Sequence, residues 1–236
     1  MTYIILVAGK GVKLHPLTSN TPKSLYRLDG NVNVLQRLVR QIRKNDINAE
    51  IVLVVGFMHE YLMKEMFSEN VTFVHNPFFS VTSSMGSLWF ARKFLQRENV
   101  VIINGDIVLS DELIQEVIVK PTDFPFVLVD SSLSIEGKYF VQVQEDKVCV
   151  MSKQLMNYYA TYCSITKLDA ITSRFLLEET EKMINNGMYD CFYEDALVQM
   201  IFTNNFELYY KDIKEYAWTE IDKVDDLLKA KLIHNT

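Results

Sequence analysis

A segment near the amino terminus combines glycines and lysines in a pattern that suits a polyphosphate ligand. Gly9 and Gly11 lie two residues apart, with Lys10 and Lys13 beside them. Glycines permit a tight turn and let backbone N–H groups approach an anion closely, and the lysines add positive charge. A further lysine, Lys23, follows a proline that can hold the backbone so that the lysine points to the same pocket. These residues predict a nucleoside triphosphate site.

The segment departs from two common phosphate-binding motifs and resembles a third. Leu14 interrupts the dinucleotide motif G-x-G-x-x-G, and no G-x-x-x-x-G-K-[ST] motif is present. Residues 8–16 and 20–25 instead resemble the double signature of the nucleotidyltransferases that make NDP-sugars and CDP-alcohols, A-G-x-G-x-[RK]-[LM]-x-P and T-x-x-x-P-K-[SAP]-[LM]. Lys13 stands where that family usually has Arg. Lysine keeps the charge but loses the bidentate fork, which predicts weaker pyrophosphate binding.

Two aspartates are candidates for binding a divalent metal. Asp106 follows the apolar strand that ends at Asn104, and ligands in open α/β sheets bind beyond the carboxyl ends of the strands. Mg²⁺ takes hard oxygen ligands, usually one or two carboxylates together with phosphates. From the residues alone, Asp106 could equally cap the next turn, and Asp222 could serve only as the N-cap of the final helix.

Two further segments resemble the phosphocholine and inositol-phosphate cytidylyltransferase branch of that family. Residues 218–227 resemble its W-x-E-I-D-T-x-E-D-L motif, which implies that Asp106 and Asp222 together bind Mg²⁺. Residues 76–91 resemble a second motif, in which Ser83 and Ser84 stand where relatives often have asparagine or threonine near the pyrimidine base. The resemblance implies a base contact and favours CTP, although Ser84 could serve only as a helix cap.

Other segments are candidates for binding the acceptor substrate. Lys138 and Lys153 stand in segments that resemble the E-x-M-K-V and I-[SG]-K strands of the branch, where a lysine could contact the acceptor phosphate; exposed strand lysines are also common. Tyr193, Glu194 and Asp195 belong to a match to its Y-Y-E-D-A-L motif. Aromatic and acidic residues suit a cationic head group. Acids in a first helical turn and buried aromatics are the ordinary alternative.

The resemblance runs from residue 3 to about 230 and implies one complete site. The catalytic residues that the resemblance predicts for this site are Lys13, Lys23 and Asp106. Its predicted nucleotide-binding residues are Val7, Ala8, Gly9, Lys10, Gly11, Lys13, Ser83, Ser84, Asn104 and Asp106. Its predicted acceptor-binding residues are Lys138, Lys153, Tyr193, Glu194 and Asp195, and its predicted metal ligands are Asp106 and Asp222.

The activity that the resemblance implies is Mg²⁺-dependent transfer of CMP from CTP to a small phosphorylated alcohol, with phosphocholine favoured. Pyrophosphate is the second product. Three alternatives stay open: a phosphonate cytidylyltransferase, a sugar-1-phosphate nucleotidyltransferase that uses UTP, dTTP or GTP, and a non-catalytic nucleotide-binding homologue.

Strand and helix patterns that alternate through the first half of the chain predict an α/β fold, and we interpret residues 1–236 as a single domain. The predicted strands are 2–7, 50–55, 71–75, 99–104, 126–129 and one near 206–210; the predicted helices are 33–45, 84–97, 110–118, 167–186, 193–202 and 223–233. Alternating residues between 139 and 150 predict a small antiparallel insertion, at 130–165, on the acceptor side. The resemblance implies a Rossmann-like mixed, mainly parallel sheet flanked by helices, the nucleotide-diphospho-sugar transferase fold.

The composition disfavours several classes of protein. The net charge is −6 and no basic block is present, which argues against nucleic acid as a partner. No apolar run approaches the roughly 18 residues of a membrane-spanning helix, so we expect no membrane insertion. The three cysteines lack C-x-x-C spacing, and we therefore expect reduced thiols and a cytoplasmic location.

Overall fold

The computed structural model describes residues 1–203 and 206–235. Its strands, β1 to β11, are Thr2–Val7, Glu50–Val55, Thr72–His75, Val100–Asn104, Ile107–Leu109, Phe126–Asp130, Phe140–Gln144, Lys147–Ser152, Ala160–Leu168, Tyr209–Asp212 and Trp218–Glu220. Its helices, α1 to α7, are Val34–Asn45, His59–Glu65, Ser84–Phe90, Asp111–Leu113, Ala170–Asn185, Tyr193–Thr203 and Val224–His234.

Nine of these strands form one mixed sheet in the order β3-β2-β1-β4-β9-β6-β10-β8-β7, and β11 and β5 form a second, two-stranded sheet. The α/β fold with a mixed sheet is therefore confirmed. Strand β1 lies parallel to β2 and β4, β2 to β3, and β6 to β10. The remaining five pairings of the large sheet are antiparallel, so its parallel strands prevail only in the half that contains β1.

The segment 130–165 contributes to both the edge and the middle of this sheet. Strands β7 and β8 form an antiparallel hairpin at the edge, as the alternating residues between 139 and 150 predict. Strand β9 instead lies between β4 and β6. All nine of its residues are buried, because both faces of a central strand are covered. The predicted helix 167–186 accordingly begins later, at Ala170, where Asp169 accepts hydrogen bonds from two backbone N–H groups.

Two apolar layers cover the faces of the large sheet. Strand β1 supplies both, because successive side chains of a strand point to opposite faces: Tyr3 and Ile5 pack into the layer that holds α1, and Ile4 packs into the layer that holds α3, α5 and α6. Within the described ranges, no helix combines the length and apolar character that a membrane crossing requires. The three cysteines are free.

Some local elements differ from the expected ones. The predicted helix 84–97 divides into α3 and a 3₁₀ turn at Arg92–Gln96, and the predicted helix 110–118 consists of α4 and a π turn at Ile114–Ile118. Strands β5 and β11 are absent from the prediction. Both are three residues long, and each is stabilised by its pairing with the other, which no local pattern reveals.

Candidate active site

The loop after β1 has a backbone that is open to a ligand. Gly11 adopts a φ of 64°, in the left-handed region that favours glycine, and its carbonyl accepts a hydrogen bond of 2.8 Å from Thr18 Oγ1. A Cβ atom at Gly9 would meet nothing within 4 Å. Among the described residues, the backbone N–H groups of Gly9, Lys10 and Gly11 have no hydrogen-bond partner. They are therefore available to an anion.

A close backbone approach places Asp106 beside this loop. The N–H of Gly105 donates a 3.0 Å hydrogen bond to the carbonyl of Leu6, at the end of β1. A Cβ atom at Gly105 would lie 2.1 Å from Val7 Cγ1, so only glycine allows β4 to turn there without a shift of β1. The following residue, Asp106, is buried and lines the pocket.

The two-stranded sheet adds two more carboxylates. Glu220 pairs with Ile107 in this sheet, and the N–H of Ile221 donates to the carbonyl of Asp106. Glu220 is the last residue of β11, and Asp222 follows two residues later, just before α7. The carboxylate oxygens of Asp106, Glu220 and Asp222 lie within 4.8 Å of one another. We call these three residues the carboxylate triad.

Three lysines converge on the carboxylate triad. Lys23 forms ion pairs with Asp106 and, at 3.2 Å, with Asp222. Lys138 Nζ lies 2.7 Å from Glu220 Oε2 and 2.8 Å from Asp222 Oδ2. Lys13 Nζ lies 3.2 Å from Asp222 Oδ2. The sequence prediction assigned these lysines to the nucleotide and to the acceptor, and the structure brings all three to one point.

Burial and charge act in opposite directions on the pKa values of these groups. Burial alone would raise the pKa of Asp222, but Lys23 and Lys138 hold it below its ordinary range. For Asp106, burial prevails over the neighbouring Lys23 and raises the pKa. Burial would lower the pKa of Lys23, but Asp106 and Asp222 raise it. Lys23 is therefore a fixed positive charge at neutral pH.

Glu220 and Ser164 are site residues that the prediction missed. Glu220 Oε2 accepts a 2.6 Å hydrogen bond from Ser164 Oγ, and its Oε1 accepts one of 3.3 Å from Asn104. Glu220 stands two residues before Asp222 in the same motif, and that nearness to a predicted metal ligand could have revealed the glutamate. Ser164 has a φ of 57° where the register of β9 against β6 shifts, and no sequence signal indicates that irregularity.

The carboxylate triad fits a divalent cation. Its donors are carboxylate oxygens, the hard ligands that Mg²⁺ takes, and the open pocket beside them leaves room for phosphate oxygens to complete the coordination. Of the two predicted metal ligands, Asp106 and Asp222, both belong to this group, and Glu220 joins them.

The serines predicted to contact the base lie at the start of α3. Ser83 and Ser84 both line the pocket. The Oγ of Ser84 accepts a 2.9 Å hydrogen bond from the N–H of Tyr193, and the N–H of Ser83 donates to the carbonyl of Tyr189. Ser84 thus ties α3 to the start of α6, while its hydroxyl hydrogen can still reach a ligand. The base contact stays a prediction.

Aromatic and charged residues form another part of the pocket, which we call the acceptor corner: Tyr139, Lys153, Phe192 and Glu194. Lys153 Nζ lies 3.4 Å from the centroid of the Phe192 ring and 5.1 Å from that of Tyr139. Glu194 is only 5% exposed, and its Oε2 has no hydrogen-bond partner among the described residues. Burial raises the pKa of Glu194 to about 7.

Two of the predicted acceptor residues do not line the pocket. Tyr193 is fully buried, and its hydroxyl bonds those of Tyr162 at 2.5 Å and Thr166 at 3.2 Å. Asp195 accepts hydrogen bonds from the hydroxyl of Tyr139 at 2.7 Å and from the N–H of Phe192 at 3.0 Å. These two residues hold the wall of the pocket from behind. The positions of Tyr193 and Asp195 therefore do not support the predicted direct contact with the acceptor.

All of these parts open into one cavity of about 500 Å³. The other predicted site residues also line it, namely Val7, Ala8, Gly9, Lys10, Gly11, Lys13, Lys23, Ser83, Ser84, Asn104, Asp106, Lys138, Lys153, Glu194 and Asp222. The cavity thus has a loop rich in glycine and lysine on one side and the acceptor corner on another, with the carboxylate triad exposed to the same space.

Comparison with known proteins relates the chain to a family and to individual members. The sequence model of a protein family, the MobA-like NTP transferase domain, matches residues 3–131 of this chain. The choline-phosphate cytidylyltransferase of Streptococcus pneumoniae is 24% identical over 235 residues, which are 99% of this chain and 98% of that protein. The CTP:phosphoglutamine cytidylyltransferase of Campylobacter jejuni is 22% identical, with 96% of this chain and 98% of that protein covered.

Solved structures share the fold. The structure of the CTP:phosphocholine cytidylyltransferase from Streptococcus pneumoniae superposes with a TM-score of 0.80 at 20% identity. The superposition covers 99% of this chain and 98% of that one. The nine-stranded mixed sheet and its helices are therefore an arrangement already known among nucleotidyltransferases.

Proposed function

Since the chain belongs to the family of MobA-like NTP transferase domains, and is a nucleotidyltransferase, we propose that it transfers CMP from CTP to a small phosphorylated acceptor. Pyrophosphate is the other product. The observation that carries this proposal is the convergence of an anion-binding loop, three lysines and the carboxylate triad on one cavity.

The proposed reaction is a single displacement at phosphorus. An oxygen of the acceptor phosphate forms a bond to the α-phosphorus of CTP, and the bond from that phosphorus to the oxygen bridging to the β-phosphate breaks. Pyrophosphate leaves with the electron pair of that bond. No side-chain nucleophile is needed, so the contribution of the protein is to position the two substrates and to offset charge.

The lysines and the loop have distinct roles in this proposal. The free N–H groups of Gly9, Lys10 and Gly11 bind the β- and γ-phosphates, and Lys13 adds positive charge. Lys23 stabilises the negative charge that develops around the α-phosphorus, which its permanently protonated state supports. Asp106, Glu220 and Asp222 would hold Mg²⁺, which supplies further charge neutralisation at the phosphates when bound.

The acceptor that we propose is phosphocholine. Two relatives that the chain matches over nearly its whole length are named as cytidylyltransferases, one of them for choline phosphate. The acceptor corner supports the choice, because aromatic faces and a buried carboxylate attract a quaternary ammonium. Lys138 and Lys153 both line the cavity and are the lysines that we propose for the acceptor phosphate.

Pyrophosphate release from a panel of nucleotides tests this proposal. The protein is incubated with Mg²⁺ and CTP, UTP, GTP or dTTP, each with phosphocholine, a phosphonate or a sugar 1-phosphate. We expect release with CTP and phosphocholine, and none from the Asp106→Asn variant under the same conditions. Release from CTP with another phosphate or phosphonate would keep the reaction and change the acceptor. Release only from UTP, dTTP or GTP with a sugar 1-phosphate, or from no combination, would contradict the proposal.

A further inference from the structure

The acceptor corner already holds a cation that belongs to the protein. Lys153 follows directly after β8, and its Nζ lies 3.4 Å from the centroid of the Phe192 ring. The ring of Tyr139 is a second aromatic neighbour, at 5.1 Å. Above the face of an aromatic ring is where an ammonium group is most strongly attracted. A quaternary ammonium head group would compete for the same position.

A buried carboxylate strengthens this cation site. Glu194 lines the cavity, is 5% exposed and has an Oε2 atom without a hydrogen-bond partner in the described part of the chain. A buried carboxylate is unfavourable unless a cation or hydrogen-bond donors compensate it. Among charged side chains, Lys153 has the largest effect on Glu194 and lowers its pKa against the rise that burial causes. Glu194 and the two rings therefore form a site that any suitable cation can satisfy.

We propose that Lys153 acts as a tethered cation that fills the acceptor corner of the free enzyme, and that acceptors with a cationic head group bind by displacing it. This proposal rests on the proposed function, because it concerns the acceptor pocket of that reaction. It makes Lys153 a residue that determines specificity.

The surroundings of Lys153 make the displacement feasible. Residue Lys153 is exposed, so its flexible stem can turn towards solvent without moving any core residue. The receiving surface, in contrast, is held in place. Asp195 accepts hydrogen bonds from the Tyr139 hydroxyl and from the backbone N–H of Phe192, which hold the Tyr139 ring and the backbone at Phe192 in place. An incoming cation thus finds the rings and the carboxylate already arranged.

Displacement of this kind selects acceptors by charge. A cationic head group replaces Lys153 with an equivalent contact to the rings and to Glu194. Above the Glu194 pKa of about 7, where this side chain is ionised, an uncharged head group of the same shape removes Lys153 and leaves the buried carboxylate without a cation, which is unfavourable. The corner therefore discriminates against neutral analogues, even those that fit its volume.

Calorimetry with choline, without nucleotide or metal, tests the proposal. Choline is the probe because it carries the cationic head group but lacks the phosphate that Lys153 could also contact. We expect Lys153→Ala to bind choline at least about tenfold more tightly than the wild type, because the competing cation is gone. Lys153→Arg, which restores a cation able to stack on Phe192, should bind choline as weakly as the wild type does.

Two controls separate this effect from others. Lys93 lies 4.8 Å from the Phe94 ring, outside the cavity lining, so Lys93→Ala removes a comparable contact elsewhere and should leave choline binding unchanged. The uncharged isostere 3,3-dimethyl-1-butanol should gain little affinity from Lys153→Ala. Circular dichroism verifies that each variant is folded.

Unchanged or weaker choline binding by folded Lys153→Ala would overturn the proposal. An equal gain for the uncharged isostere would overturn it as well, because shape alone would then explain the gain. Neither result affects what we expect from the pyrophosphate-release assay with the panel of nucleotides. If the wild type releases pyrophosphate from CTP while the choline experiment fails, the proposed reaction stands without the tethered cation.

Discussion

Lys23 is the residue on which the proposed chemistry most depends. Its ammonium pairs with Asp106 and Asp222, and these carboxylates raise its pKa, so it stays charged throughout the neutral range. A fixed charge aimed at the reacting phosphorus contributes through the transition state rather than through substrate binding alone. The residue therefore belongs to the catalytic machinery of the proposed function.

We expect Lys23→Ala to lower kcat for pyrophosphate release by about 10²- to 10³-fold, the range typical for loss of one preorganised charge-stabilising group. Lys13 and Lys138 remain beside Asp222, so the fold should persist. Steady-state kinetics measures the loss, and circular dichroism verifies the fold. Lys229→Ala, on the exposed side of α7, is the control. A kcat near that of the wild type would remove Lys23 from the mechanism.

Glu194 predicts a specific dependence of stability on pH. Burial raises its pKa from the ordinary 4.5 to about 7, so the folded protein keeps a proton there that the unfolded chain loses. Between these values the unfolded state binds fewer protons, and the free energy of unfolding of the wild type falls as the pH rises. The raised pKa of Glu194 corresponds to a decrease of about 3 kcal/mol in the free energy of unfolding by pH 8.

Glu194→Gln removes this titration. The free energy of unfolding of the variant, relative to that of the wild type, should therefore rise between pH 5 and pH 8 by most of the loss of about 3 kcal/mol that the wild type suffers. Urea denaturation at the two pH values measures this difference. Glu178→Gln, at an exposed position on α5, reports the effect of removing an ordinary carboxylate. A difference between Glu194→Gln and the wild type that is the same at both pH values would contradict the assignment.

Site residues can be predicted from the sequence where they stand in a motif of fixed spacing. They cannot be predicted where the packing of a helix decides which of two neighbouring side chains faces the cavity. Lys23 and Asp106 stand in motifs with fixed spacing, and both line the cavity. Tyr193 and Glu194 were predicted together, but consecutive residues of a helix point about 100° apart. Only Glu194 faces the cavity, and Tyr193 is enclosed by the core. Side-chain direction at the start of α6 depends on how that helix packs, which the motif does not state.

At the scale of elements, the turn between β4 and β5 links the sheet to the carboxylate triad. Gly105 allows the backbone to pass against Val7 and Ile5 of β1, and Asp106 follows in the position that the site requires. The same turn starts β5, whose partner β11 contains Glu220, paired with Ile107. One glycine thus determines whether two of the three carboxylates meet.

Gly105→Ala should therefore damage both stability and activity. Its Cβ would lie 2.1 Å from Val7 Cγ1 and 3.0 Å from Ile5 Cγ2, and relief of that overlap should lower the free energy of unfolding by about 1–3 kcal/mol. Urea denaturation measures the loss. Gly30→Ala is the matched control, because a Cβ there meets nothing within 4 Å. Equal stability of the two variants would show that the close approach is not required.

Elements defined by local patterns were predicted more accurately than those defined by pairing. Strand β1 and strand β2 are continuous apolar runs, and their predicted bounds match those of the structure. The sequence predicts an insertion at 130–165 that includes most of β9, because nothing local distinguishes a central antiparallel strand from a hairpin strand. Its neighbours β4 and β6 are distant in sequence, and the sheet order follows from packing of the whole chain.

At the scale of the whole molecule, the two halves of the sheet contribute different parts of one cavity. The half that contains the parallel strands β1 and β4 carries the loop rich in glycine and lysine and Asp106. The antiparallel half carries Lys138 and Lys153 on either side of the β7–β8 hairpin. The mixed sheet thus brings a proposed nucleotide side and a proposed acceptor side together.

A cytoplasmic location stays a prediction from the unpaired cysteines.

Phosphorus NMR of the complete reaction tests the central claim most directly. The protein is mixed with Mg²⁺, CTP and phosphocholine, and the account predicts that the CTP signals decline while pyrophosphate and the two coupled signals of a CDP-alcohol grow together. EDTA should stop the reaction, because the carboxylate triad would lose its cation. Conversion of CTP to CDP and inorganic phosphate, or CTP that stays intact with every acceptor of the panel, would contradict the account.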